Sequence, residues 1–381
     1  FMKRTIIRIV LILLLFGTIF FMQAVAATLD MAGELEQYLA GDDIREIEAA
    51  MPESAQAVLE ERGFDSFGEL TSMPAGELWD IIKERLSEEF HAPLRVLVSL
   101  AGAVLLCAIM KSVASTLVST GLQQIFRLII TAYVISLLIQ PIIQSILEIG
   151  TTFEEFSLFL SVYIPVFAGI ITTAGQPMTG AVYNVLLFSV CQGIGQLLGK
   201  LFIPVISCYL SLAVVTEVVP QMGLQDIVAG FKKLITWTLG LTMTLFVGLL
   251  SLQSVIASSG DNVAVKTTKF MISSVIPAVG GSLSELFMAT QGCVQLLKGT
   301  VGAAGVVIAV FTFLPVLLRV TLWQLTAAAG SIIGQLMGVP EIGRLLKSVG
   351  SALSVMLAIL LYYAMLFIVS TSIMILAFRG G

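Results

Sequence analysis

From Pro93 onward the chain is a succession of apolar runs, at 94–110, 125–147, 156–174, 180–198, 201–219, 235–257, 268–288, 292–311, 313–332 and 351–376, parted by a few charged residues or by glycine and proline. An apolar helix of about 20 residues crosses about 30 Å of hydrocarbon, so the pattern predicts an all-α polytopic membrane protein. Several runs are interrupted, and broken helices in lipid survive only where protein or a water-filled cavity covers them; some runs therefore read as re-entrant hairpins. Upstream the pattern changes. Leu78, Ile81, Ile82, Leu86 and Phe90 recur every three or four residues, which predicts one amphipathic helix. Ser66-Phe67-Gly68-Glu69 has capping-box spacing, and Met51-Pro52 and Met73-Pro74 mark breaks between short helices.

Laid on itself, the membrane region repeats. Tyr163-Ile164-Pro165-Val166-Phe167-Ala168-Gly169 matches Val275-Ile276-Pro277-Ala278-Val279-Gly280, and Phe202-Ile203-Pro204-Val205 matches Phe313-Leu314-Pro315-Val316. Met222-Gly223, Asp226-Ile227 and Lys232 match Met337-Gly338, Glu341-Ile342 and Lys347. After the third anchor, Leu224, Ile227, Val228, Phe231 and Leu234 form an apolar stripe, as do Val339, Ile342, Leu345, Leu346 and Val349, each opposite charged residues. Both stripes read as amphipathic interfacial helices. The unit becomes span, glycine-rich hairpin, interfacial helix, span, with Pro165, Pro204, Pro277 and Pro315 as breaks. The chain divides into a leader (1–26), an exported segment (27–92), first membrane helices (93–154) and two repeats (155–257 and 268–376), expected to superpose about an axis along the membrane normal.

Charge adds direction. Of 381 residues 57% are hydrophobic and 12% charged, against about 25% charged in soluble domains. Lys3, Arg4 and Arg8 precede an apolar run and Ala24-Val25-Ala26, which reads as a cleavable secretory signal, an uncleaved anchor being the alternative. Residues 28–92 hold 17 of the 25 acids and four basic residues, a net charge of -13. If both interfacial helices face the cytoplasm, Lys232, Lys233, Arg344 and Lys347 lie inside with Lys111 and Arg127, while Glu148, Glu154 and Glu155 lie outside with the acidic segment. An even number of crossings per repeat then places the carboxyl terminus outside, with Arg379 as the dissenting charge, and an odd number brings Arg379 inside.

The chemistry of a site is sparse. His91 is the single histidine, Cys107, Cys191, Cys208 and Cys293 lack paired spacing, and no G-x-x-x-x-G-K-[ST] loop is present. No cofactor, metal site or nucleic-acid surface is expected. Glu217, Lys200, Lys298, Glu285 and Arg319 are charges within or near apolar runs. Glu217 and Lys298 stand out as intramembrane charges, which usually face a bundle interior; the others read as snorkelling side chains. Gln176, Gln192, Gln196 and Gln291 are candidates for a polar path or for helix-to-helix hydrogen bonds.

The order of parts, with Leu78-Trp79-Asp80-Ile81-Ile82-Lys83 closing the acidic segment and Ile164-Pro165-Val166-Phe167-Ala168-Gly169-Ile170-Ile171-Thr172-Thr173-Ala174-Gly175 in the membrane region, resembles the stage III sporulation protein AE family over essentially the whole chain. That resemblance implies a polytopic component of a complex joining mother cell and forespore, with a separate ATPase and ring-forming subunits as partners besides membrane lipid. It supplies no catalytic residues. The leading expectation is a non-enzymatic, partner-dependent conduit core; the alternative is a secondary transporter for a small solute, whose folds often contain repeats.

Overall fold

The computed structural model describes residues 42–63, 75–117, 120–275 and 280–376. The expected signal peptide falls outside these residues, as does Pro277. Two short helices, α1 (Asp42–Ala49) and α2 (Glu53–Arg62), precede six long ones: α3 (Ala75–Leu117), α4 (Thr120–Thr173), α5 (Pro177–Leu197) continued through a π-helical turn (Leu198–Phe202) into α6 (Ile203–Val218), α7 (Gln225–Val275), α8 (Gly280–Leu336) and α9 (Pro340–Leu376). Among the described residues six helical stretches are long and apolar enough to cross a membrane, and no strand occurs.

The ten apolar runs thus join into six helices. Pro165 lies inside α4 and Pro315 inside α8, so neither breaks its helix, and Pro204 directly follows the π turn, at the start of α6. Proline removes one backbone bond and clashes with the preceding turn, but neighbouring helices and local π adjustments can re-satisfy the freed groups in a membrane bundle. The expected hairpins are therefore continuous helices. The two amphipathic stripes are likewise the first turns of α7 and α9, not separate interfacial helices.

Side-chain contacts fix the directions of the helices. Lys111 Nζ donates to the Gly338 carbonyl at 2.7 Å while Arg319 binds Glu89, so α3 and α8 run parallel. α4 runs against α8, with the Phe156 and Phe313 rings 4.9 Å apart at one level and Tyr163 donating to the Val301 carbonyl at another. α8 and α9 form an antiparallel hairpin, tied by Ser331 to the Gly343 carbonyl and by Gln324 to Ser354. Lys232 meets Ser351 and Thr242 meets Tyr362; both contacts rise together along the two helices, so α7 and α9 are parallel.

The bundle therefore has two ends. At the lower end lie the turns after α3, α6 and α8. At the upper end lie the turn from α4 to α5 and the end of α9, and α1 and α2 lie on the flank of the upper half. The core is aromatic in its upper half: Phe153, Phe156, Phe159, Tyr163 and Phe167 climb one face of α4, buried against Phe313, Tyr363, Phe367 and Tyr183. Edge-to-face pairs of this kind are worth about 0.5–1.5 kcal/mol beyond their burial. A Cβ at Gly305 would stand 2.4 Å from the Tyr163 ring, so the helices approach there because the side chain is absent.

Candidate functional site

Two polar clusters interrupt the apolar bundle. The lower one gathers residues from α6, α7 and α9. Gly223 and Gly338 adopt φ of 63° and 73°, a left-handed conformation that glycine reaches without steric cost, and each lets the chain turn sharply from one helix into the next. The next helix then begins with an acid in its first turn, Asp226 in α7 and Glu341 in α9, where the positive helix end favours a carboxylate. The cations follow one or two turns later. Glu217, at the end of α6, accepts a hydrogen bond from Ser348 Oγ at 2.9 Å and lies 3.6 Å from Arg344 Nε. Lys232 Nζ donates to Ser351 Oγ at 2.6 Å, and the Tyr209 hydroxyl reaches the same oxygen at 3.4 Å. Lys233 and Lys347 project from the bundle, exposed.

Of the residues singled out in the sequence, the structure thus brings together Glu217, Lys232 and Arg344, with Lys347 on the next turn of α9. Glu217 is half-buried at the bundle's lower end and paired with Arg344 and Ser348. Gln192 is half-buried in the upper half, where it accepts from Ser157 Oγ at 2.9 Å and donates to the Ser157 carbonyl at 3.0 Å; both bonds tie α5 to α4. Gln291 and Lys298 lie on the upper part of α8, and their side chains are outside the described residues. The serines and Tyr209 that complete the lower cluster carry no spacing signal and could be found only through the fold.

The second cluster sits about halfway up the bundle. Arg319 forks onto both carboxylate oxygens of Glu89, with Nε to Oε2 at 2.8 Å, and also binds Glu148. Three helices, α3, α4 and α8, meet there. A bidentate arginine–carboxylate contact is among the stronger and more geometrically specific polar links. Arg319 was expected to snorkel alone; its acids are far away in sequence, which is why spacing did not reveal them. The remaining Glu148 oxygen, Oε2, is buried without a hydrogen-bond partner. Among the described residues no group of three or more His, Cys, Asp or Glu side chains could hold a metal ion.

Above this level the acidic segment is docked. Ile44, Ile47, Met51, Ala55 and Val58 are buried in the common core, with α1 packed on α4 and α2 on α8. The Glu155 carboxylate lies beside the first backbone amide of α2, at Glu53. Arg62 pairs with Glu84, and Arg85 with Glu61 and Glu88, joining α2 to the start of α3. Exposed carboxylates remain on Glu46, Glu53, Glu60, Asp80, Glu84 and Glu88.

Comparison with known proteins agrees with this architecture. The chain is 23% identical over 303 residues to the stage III sporulation protein AE of Bacillus subtilis (strain 168), covering 78% of this chain and 75% of that protein. No solved structure matches. The family model for stage III sporulation protein AE matches residues 67–377, from before α3 to the end of α9, and this multi-pass, all-helical membrane protein therefore belongs to the stage III sporulation protein AE family.

Proposed function

We propose that the protein is the non-enzymatic membrane core of a sporulation transport complex, a conduit component between mother cell and forespore that works only with partners, among them a separate ATPase and ring-forming subunits. Family membership supports the setting. The observation that carries the reading is the docked acidic segment: α1, α2 and the start of α3 form a packed platform on the flank of the half of the bundle away from Lys232, Arg344 and Lys347. A packed, carboxylate-rich surface attracts basic partners over about a Debye length of 8 Å and is repelled by anionic headgroups. On this reading the platform is extracytoplasmic and the cationic lower end cytoplasmic, as positive charge favours.

Because Glu46, Glu53 and Glu60 are exposed, their replacement by lysine leaves the packing of Ile47 and Val58 intact. The triple variant Glu46→Lys, Glu53→Lys, Glu60→Lys is expected to insert normally and to lose partner capture when purified from sporulating cells. Capture at the wild-type level would remove the docking role, and solute transport by the purified chain alone in liposomes would favour a secondary transporter instead. We also propose that residues 155–257 and 268–376 are duplicated units sharing one orientation; the parallel course of α7 and α9 and their matched glycine turns support this.

A further inference from the structure

The long helices are too long for one bilayer. At 1.5 Å per residue, the 54 residues of α4 and the 57 of α8 extend about 81 and 86 Å. A 30 Å hydrocarbon core crossed at 40° of tilt, the upper end of the observed range, takes up only about 26 residues. More than half of each helix must lie elsewhere, and the charged residues show where.

Four helical stretches give the same interval between polar levels. Glu89 to Lys111 on α3 is about 22 residues, Arg127 to Glu148 on α4 about 21, Lys200 to Glu217 through the π turn and α6 about 17, and Arg319 to the Gly338 turn on α8 about 19. These correspond to about 25–33 Å, the thickness of the hydrocarbon. The levels coincide in space: Lys111 binds the Gly338 carbonyl and Arg319 binds both Glu89 and Glu148. On α7 the run after Lys233 is free of charge until Asp261, and the helix then carries Asn262, Lys266 and Lys269, residues suited to water.

Exposure changes at the same height. Between the two levels the outward side chains are those of a lipid face, including Leu105, Ile109, Leu128, Ile139, Leu241 and Ile332. Above Glu148 the exposed positions of α4 become Thr151, Glu154, Leu158, Pro165, Gly169 and Thr172, while its large aromatic side chains turn inward. Leu158 on α4, Met178, Val185 and Phe188 on α5, and Trp79 and Leu86 on the start of α3 are the apolar exceptions.

We infer that only the lower half of the bundle lies in lipid, with Arg319, Glu89 and Glu148 marking the upper membrane border, and that the upper half is a water-exposed helical tower on the extracytoplasmic side, its helices extending beyond that border by about 38 Å in α4 (Glu148 to Thr173) and about 58 Å in α8 (Arg319 to Gly280). It comprises the upper ends of α4, α7, α8 and α9 together with α5, and it carries α1 and α2 on its flank. The apolar runs 156–174, 180–198 and 292–311 are then the core of this tower and not membrane spans. The side of the membrane rests on the orientation proposed above; the division into two halves does not.

The test uses the full chain in membranes of vegetative cells, with single cysteines at Thr172, Asn262, Ile139 and Lys233 and the wild-type chain as the baseline for its own cysteines. Carbonate-resistant membrane association verifies insertion of each variant. A membrane-impermeant maleimide is expected to label Thr172→Cys and Asn262→Cys in intact protoplasts, Lys233→Cys only after permeabilisation, and Ile139→Cys in neither state. Thr172→Cys or Asn262→Cys remaining at the wild-type baseline even after permeabilisation would overturn the tower. If both label only after permeabilisation while Lys233→Cys labels in intact cells, the tower stands and the proposed orientation, with the extracytoplasmic assignment, falls.

Discussion

The turn entering α7 and the turn entering α9 share nearly every local feature. Each has a methionine before a left-handed glycine, an acid in the first helical turn and a cation within the next two or three. Their apolar stripes nevertheless meet different surroundings. Ile227 and Leu234 on α7 are 49% and 57% exposed, whereas Ile342 and Leu346 on α9 are 1% and 0% exposed. The difference comes from position in the bundle: α9 forms a hairpin with α8 along its length and is covered by α6 on another side, while α7 packs Val228 and Phe231 on the core and leaves Ile227 and Leu234 uncovered by protein. A periodic stripe specifies which face is apolar; it does not specify whether protein or hydrocarbon covers that face.

The largest test of this contrast is truncation at the equivalent stripes. Leu346→Ala empties a site with no exposure and is expected to cost about 2–5 kcal/mol. Leu234→Ala, on the lipid side, is expected to change stability by less than about 0.5 kcal/mol. Thermal unfolding of the two variants in the same detergent, read against the wild type, checks the difference; equal shifts would mean that α7 is covered as fully as α9.

A smaller effect comes from the glycines. A Cβ at Gly343 would lie 3.1 Å from the Ser331 carbonyl oxygen and from the Gln335 side chain, where α9 crosses α8, whereas at Gly230 nothing lies within 4 Å. Gly343→Ala is expected to destabilise by about 1–3 kcal/mol through overpacking. Gly230→Ala is expected to be neutral or to stabilise by up to about 1 kcal/mol, since alanine restricts the unfolded chain. The same unfolding measurement applies, and a neutral Gly343→Ala would show that the α8–α9 crossing has slack.

Much of the architecture was legible in the sequence because lipid imposes a severe rule: every backbone group in it must be paired within the segment, so apolar length reports helices. The helical class and the shared glycine turns followed from that rule and from the spacing of Gly223 and Gly338. The number of spans did not follow. Runs such as 156–174 are as apolar as a true span because the inside of an aromatic helical tower is as apolar as a bilayer, and hydropathy does not distinguish Phe159 facing Tyr163 from Phe159 facing an acyl chain. Nor did the pairing of Arg319 with Glu89 and Glu148 follow, since it depends on three helices distant in sequence. Glu217 stands out because a carboxylate in an apolar run is conspicuous, but its partners Arg344 and Ser348 lie on α9, far away in sequence.

The smallest effect sharpens the comparison at the lower cluster itself, where α6 meets α9. Glu217 is 20% exposed, while Arg344, 3.6 Å away, is 56% exposed, so water screens the pair from one side. Exposed ion pairs contribute about 0–1 kcal/mol, and a double-mutant cycle of Glu217→Gln and Arg344→Gln is expected to give a coupling in that range, declining as salt is raised. The Ser348 hydrogen bond lies on the buried side of the same carboxylate and is protected from that screening. Cycling Glu217→Gln against Ser348→Ala is therefore expected to yield a coupling of about 1 kcal/mol or more, as hydrogen bonds to charged groups do, with little dependence on salt. The opposite order, a salt-insensitive arginine term and a negligible serine term, would place Glu217 deeper in the bundle than its exposure indicates.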